Sequence, residues 1–156
     1  MLSNPDKNHN NRLLQQFRLQ VNTELINLVE VLQWFERTAQ PFLSENYCWQ
    51  CLVALAEGFT NTVRYAHVHL PATTPIEIEV NLFADVLEIR IVDFGRPFDL
   101  KAKLKSLSSV PENPLEKEGD RGLFLMHKLM DDLQYIRLPN QRNCLIMRKK
   151  ILNSEG

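Results

Sequence analysis

The spacing of apolar residues changes sharply between residues 66 and 76, and few folds accommodate both sides of that change. Before the change, Cys48, Leu52, Leu55, Ala56, Phe59, Val63 and Ala66 recur at the spacing of one buried helical face. After it, Ile76, Ile78, Val80 and Leu82 alternate with Glu77, Glu79 and Asn81, the period of a half-buried strand. Pro71 and Pro75 separate the two regimes and exclude a continuous helix. A turn at Ala84-Asp85 and a second run from Val86 to Asp93 predict an antiparallel hairpin.

The flanking segments extend the pattern. Phe17, Leu19 and Val21 predict a strand over 16–22, and Leu25, Leu28, Val29, Leu32 and Phe35 a helix over 24–39 capped by Thr23 and ended by Pro41. Ser44 is placed to cap the central helix, which is expected to run to His69. Residues 95–120 show no clean period and carry Pro97, Pro111 and Pro114, so a functional loop or lid is expected there. A helix over 121–132 and a hairpin turning at Pro139-Asn140 complete the chain. Helices segregated from hairpin-connected strands imply an α+β fold. The expected form is a two-layer α/β sandwich, a mostly antiparallel mixed sheet with helices on one face and a polar or partner-covered opposite face. Its expected bounds are a flexible segment over 1–14, a single domain over 15–151 and a flexible tail over 152–156.

Composition removes several functions. The 156 residues carry a net charge of −1, so no bulk electrostatic attraction to nucleic acid or membranes exists. No apolar run reaches membrane-spanning length, and the N-terminus lacks the apolar core of an export signal. An odd count of 3 cysteines suits a reducing compartment, and a cytoplasmic location is expected.

Three stretches concentrate chemistry. Glu57 and Asn61 lie one helical turn apart and project side by side, a basic carboxylate beside a neutral oxygen able to ligate Mg²⁺. The same spacing is common on solvated helices. Asp93-Phe-Gly95-Arg-Pro97-Phe98-Asp99 ends a strand with a hydrogen-bond acceptor and a glycine, which suits either a heterocyclic amine or a plain turn. Gly119-Asp-Arg121-Gly122-Leu123 brackets an Arg at a helix start, where N–H groups and the helix dipole favour phosphate; a simple loop-to-helix junction has the same composition. Of 5 glycines in the chain, Gly95, Gly119 and Gly122 fall in these stretches, and Gly58 adjoins Glu57. A glycine inside a helix costs about 1 kcal/mol against alanine, so Gly58 marks a close approach of backbone or ligand.

In combination, Glu57-x-x-x-Asn61, Asp93-x-Gly95-x-Pro97-Phe98 and Gly119-x-x-Gly122-Leu-Phe-Leu-Met126 resemble the Bergerat-fold ATPases shared by histidine kinases and gyrase. The Pro-Phe-Asp after Asp-x-Gly and the Arg-Gly-Leu-Phe-Leu-Met run are most similar to the stand-alone anti-sigma-factor serine-protein kinases. The likeness covers roughly 15–151. It implies ATP and Mg²⁺ as cofactors, with Glu57 as general base and Asn61 as metal ligand. It also implies Asp93 as acceptor for the adenine amine, Gly95 beneath the adenine, Pro97 and Leu123 in the nucleotide site, and Gly119, Arg121 and Gly122 around the triphosphate. Two positions depart from the pattern: Tyr65-Ala66 stands where relatives often show His-Ala, and Asp120 where they often show glycine.

The resemblance further implies a homodimer that phosphorylates a STAS-domain anti-sigma-factor antagonist and takes a sigma factor as another partner, with no nucleic acid or membrane involved. The alternative is a non-catalytic ATP/ADP-binding module that sequesters a regulatory protein. Cys48-x-x-Cys51 inside a helix reads as buried small hydrophobes, His67-x-His69 lacks a third ligand for a metal, and Arg148-Lys149-Lys150 reads as a solvated strand end.

Overall fold

Two hairpins and one added strand build the sheet. The computed structural model describes residues 12–108 and 118–151, with side-chain surroundings described over 12–105 and 121–151. Strands β2 (Pro75–Phe83) and β3 (Val86–Asp93) pair antiparallel, with Leu82 opposite Leu87 and Glu77 opposite Val92. Strands β4 (Asp132–Leu138) and β5 (Arg142–Lys150) form the second hairpin, turning through Asn140 and Gln141 at φ of 64° and 61°. Strand β1 (Leu13–Asn22) joins the edge of β2, starting earlier than expected, and the order is β1-β2-β3-β5-β4. Every pairing is antiparallel, so the sheet has no parallel component among the described residues.

Alternation divides the sheet into two unlike faces. Ile76, Ile78, Val80, Leu87, Ile89, Ile91 and Met147 are buried on one, against Val31 and Phe35 of helix α1 (Leu28–Ala39) and Leu55 and Phe59 of helix α2 (Glu45–Asn61). Each such side chain contributes about 1.5–3 kcal/mol on full burial. The opposite face is mostly polar, as expected. Glu88, only 3% exposed, accepts from Asn81, Arg90 and Arg148 at 2.8–2.9 Å, beside a small apolar cluster of Val92, Cys144 and Ile146.

Several local expectations need correction. Thr23 is not a helix cap: a 3-10 turn over Leu25–Asn27 precedes α1, and the Thr23 hydroxyl donates to the Thr74 carbonyl at 2.6 Å. Ser44 does cap α2, accepting from the Tyr47 N–H at 3.1 Å, an arrangement worth about 1 kcal/mol. The α-helix stops at Asn61 rather than His69. Thr62–Ala66 widens into a π turn, closed by His67 N–H to Thr62 carbonyl at 2.8 Å. The Thr62 hydroxyl bonds back to the Gly58 carbonyl at 3.0 Å, the kind of contact that perturbs a helical ladder.

The loop expected over 95–120 contains a helix, α3 (Leu100–Ser108), started by Asp99, which accepts from the Ala102 N–H at 3.1 Å. Helix α4 spans Glu118–Leu129, beginning before Arg121. The rest of the expected loop, 109–117, lies outside the described residues, as do 1–11 and 152–156. Lys149 is not solvated. Its Nζ donates to Gln50 Oε1 at 2.6 Å and to the Leu129 carbonyl at 2.5 Å, and it sits over the Tyr47 ring, because its register places it on the helix-covered face.

Candidate nucleotide site

Helix α2 carries Glu57 and Asn61 to the place where α4 crosses it, so this pair does not face open solvent. A Cβ on Gly122 would lie 2.6 Å from Glu57 Oε1 and 3.3–3.4 Å from the Asn61 amide atoms. The absence of a side chain at Gly122 therefore lets α4 approach the carboxylate and carboxamide. With α4 starting at Glu118, Gly122 stands inside the helix, and this close approach is its visible contribution. Neither Glu57 nor Asn61 makes a side-chain hydrogen bond with the described residues, which leaves one basic and one neutral oxygen available side by side.

Gly58 resolves the cost of a mid-helix glycine. A Cβ there would stand 2.7 Å from Ile91 Cδ1 and 3.5 Å from Met126 Sδ. The helix thus rests directly on β3, and that close packing sets how near Asn61 comes to the end of the strand.

Asp93 occupies that end. Its Oδ1 accepts from the Gly95 N–H at 2.8 Å and from Asn143 Nδ2 at 3.0 Å. Asn143 is fully buried; it also donates to the Gly95 carbonyl at 2.8 Å and accepts from Arg137 at 2.7 Å. The second carboxylate oxygen of Asp93 takes no donor among the described residues. Since no fully buried polar side-chain atom there is unpaired, this oxygen opens to the adjoining cavity. Gly95 packs on the π turn, where a Cβ would stand 2.8 Å from the Ala66 carbonyl carbon.

A cavity of about 490 Å³ joins these elements. Asn61, Asp93, Pro97 and Leu123 line it, together with Met126 and Tyr135. Phe98 stacks against Tyr135 with ring centroids 4.4 Å apart and closes one wall. Burial, then the nearby Asp93 charge, pushes the Tyr135 hydroxyl up to about 12, so this wall stays uncharged. Glu57 and Gly122 meet beside Asn61, and Gly95 lies under the Asp93 turn. Arg121 is exposed on α4 and does not line the cavity. Gly119 and Asp120 fall in the first turn of α4, outside the described side chains.

Asn143, Tyr135, Met126 and His67 contribute without having been singled out for this site. Asn143 had one signal, a carboxamide just before the apolar run 144–147; Met126 closed the Gly-x-x-Gly-Leu-Phe-Leu-Met run without a role of its own, and Tyr135 carried no signal. The cysteines behave as small hydrophobes: burial raises Cys48 and drives Cys51 up to about 12. No group of three metal-binding His, Cys, Asp or Glu side chains occurs among the described residues. A divalent cation here would depend on Asn61 and on oxygens brought by the ligand, as Mg²⁺ commonly does in phosphate sites.

The molecule is thus an α+β domain whose sheet is covered on one face by α1, α2 and α4, with a cavity where α2 and α4 meet the end of β3. The model of the histidine kinase-like ATPase domain matches residues 21–149, and the chain belongs to that ATP-using family. Among individual proteins it is similar to the serine-protein kinase RsbW of Oceanobacillus iheyensis, 39% identical over 106 residues, or 66% of this chain and 65% of that protein. RsbW of Bacillus subtilis is 31% identical over 106 residues, 66% of this chain and 64% of that protein. RsbW of Listeria innocua is 33% identical over 85 residues, 53% of this chain and 54% of that protein. The chain therefore spans a little under two thirds, or about half, of the relatives it matches. No helix among the described residues is long and apolar enough to cross a membrane.

Proposed function

We propose that this chain is a Mg²⁺-ATP-dependent serine/threonine protein kinase and partner-switching regulator of the anti-sigma type. Its substrate on this reading is a small STAS-domain antagonist, with a sigma factor as the alternative partner of a cytoplasmic homodimer. The observation that carries the reading is the convergence of residues from three separated sequence motifs on one cavity, with Asp93 on its lining and Glu57 one helical turn from Asn61.

Asp93 offers its open oxygen to the exocyclic amine of adenine, held in aim by Gly95 and Asn143. Leu123, Met126 and Pro97 give the base an apolar enclosure. Asn61 presents its amide oxygen to Mg²⁺, and the first turn of α4 presents helix N–H groups, with Arg121 nearby, toward the phosphates. Bound ATP supplies the transferable phosphoryl group. Glu57, beside Asn61 and without a side-chain partner, accepts the proton of the attacking serine hydroxyl.

Incubation with labelled ATP, Mg²⁺ and candidate STAS proteins from the same genome tests this directly. Label should pass to one of them, and Glu57→Gln should keep nucleotide binding while transfer falls by about 10²–10⁴-fold. Transfer at the wild-type rate by Glu57→Gln removes Glu57 as the base. ATP binding without transfer to any candidate supports the non-catalytic module instead.

A further inference from the structure

His67 is 1% exposed, and both of its ring nitrogens are engaged. Nε2 accepts from the backbone N–H of Phe94 at 2.9 Å. Nδ1 lies 2.9 Å from the Thr23 hydroxyl, whose single proton is donated to the Thr74 carbonyl at 2.6 Å. Thr23 can therefore only accept from the ring, so Nδ1 carries the hydrogen and Nε2 the lone pair. This assigns one tautomer and a neutral imidazole. The ring forms a strut from the end of β1, through the residue after the π turn, to the residue between Asp93 and Gly95.

The strut has a partner contact one residue back. Ala66 meets Gly95 through its carbonyl group, and His67 meets Phe94 through its ring. The last residue of the π turn and the one after it thus grip two consecutive residues of the turn that aims Asp93. Adenine recognition needs an acceptor held within a few tenths of an ångström, and a freely moving turn would not supply it.

We propose that His67 is a positioning residue for nucleotide recognition: as the neutral Nδ1–H imidazole it fixes the Phe94 amide, and with it the direction of the Asp93 carboxylate. This rests on the reading of Asp93 as the adenine acceptor. A second ring proton would set Nε2–H against the Phe94 N–H, donor against donor, and release the turn. Around the ring, Thr23 and the Thr74 carbonyl are uncharged, and the charge that acts on it is Asp93. Burial lowers the imidazole below its ordinary 6.5 and outweighs the opposing pull of Asp93. Nucleotide affinity should therefore hold at neutral pH and fall only as the pH drops below that value.

Two substitutions separate the two ring nitrogens. A glutamine carbonyl can stand near Nε2 and still accept from Phe94, whereas an asparagine amide stands near Nδ1 and cannot reach it. ATP titration calorimetry should place His67→Gln within about threefold of wild type and His67→Asn about tenfold weaker, the effect of one net hydrogen bond. The Phe94 amide, followed by hydrogen exchange without nucleotide, should exchange at least about tenfold faster in His67→Asn. Thr23→Val, which unhooks the far end of the ring, should shift both readouts the same way by less. Wild-type affinity should also decline from pH 7.5 to 5.5 more steeply than that of His67→Gln. Wild-type affinity and Phe94 protection in both His67→Asn and Thr23→Val would overturn the proposal. A wild-type protein that binds no ATP would instead overturn the adenine reading, and Phe94 exchange would still report on the strut.

Discussion

A glycine allows a close approach beside each of the two carboxylates of the site, but the glycines face different things. At the Asp93 end, Gly95 is pressed against the backbone of Ala66, while Asn143 bonds to both Asp93 and the Gly95 carbonyl. At the Glu57 end, Gly122 is pressed against the tip of a side chain, and that side chain has no hydrogen-bond partner among the described residues. One end is a fixed mould and the other a close approach between two groups free to adjust. The difference matches the tasks: a base must be recognised by a fixed acceptor, whereas a proton acceptor must meet a hydroxyl that arrives on another protein.

The largest effect should come from Gly95→Ala. The added methyl meets backbone that cannot rotate away, so either the π turn or the Asp93 turn must shift. Overpacking of this kind costs about 1–3 kcal/mol, and the upper end is expected here. Thermal unfolding should show a clearly lowered midpoint, and calorimetry a loss of ATP binding. A stable variant that binds ATP normally would show that the Asp93 end is as adjustable as the other.

Gly122→Ala should split the two properties. Its methyl meets only side-chain tips, Glu57 Oε1 at 2.6 Å and, less closely, the Asn61 amide at 3.3–3.4 Å, so stability should change by less than about 1 kcal/mol. Displacement of a reacting group by about 1 Å can cost roughly 10² in rate. Phosphoryl transfer should drop by that order while ATP affinity changes little. Equal losses in binding and transfer would mean that Gly122 serves the ligand directly and not the placement of Glu57.

Asp93→Asn probes the mould without changing its volume. One amide face would oppose Gly95 N–H and Asn143, or else offer a donor to the adenine amine. Either mismatch costs about 1–3 kcal/mol, equivalent to a fall in ATP affinity of roughly five- to 150-fold. Unchanged affinity in calorimetry would remove Asp93 from adenine recognition.

Much of this arrangement was legible in the sequence, for a definite reason. The hairpins and the central helix follow from periodicity, and the Ser44 cap is a local bond that residue type alone announces. The ordered Glu-Asn, Asp-Gly and Gly-Gly motifs pointed to a cavity that they partly line. What remained hidden depends on contacts remote in sequence. Lys149 reads as solvated until its register places it under Gln50 and Leu129. Thr23 has the composition of a cap, but Thr74 and His67 take its hydroxyl. Asn143 gains its role only because β5 pairs with β3 in the register that sets it opposite Asp93. The π turn has no signature in composition at all, and its contact with Gly95 joins residues remote in sequence.

The smallest effect tests whether the comparison is confined to the site. Glu88 lies on the opposite face of the sheet, on the same strand as Asp93 but pointing away from the helices. Burial alone would push its carboxyl up, but hydrogen bonds from Asn81 and Arg90 and the charges of Arg90 and Arg148 outweigh that and hold it below 4.5. A carboxyl lowered on folding contributes stability that is present above its unfolded value and is lost as the pH falls through its folded value. Wild type should therefore lose stability in a limb that begins near the ordinary glutamate range and continues below it. Glu88→Gln should flatten that limb and lower stability at neutral pH by about 1 kcal/mol, since both arginine partners keep partial solvent contact. ATP affinity should not change, because the network stops at the far face of the sheet. A denaturant series across pH, run beside ATP calorimetry, reads both quantities. If Glu88→Gln weakened ATP binding as much as Asp93→Asn does, the two faces would be coupled through β3, and the fixed character of the Asp93 end would belong to the whole sheet and not to the turn that grips it.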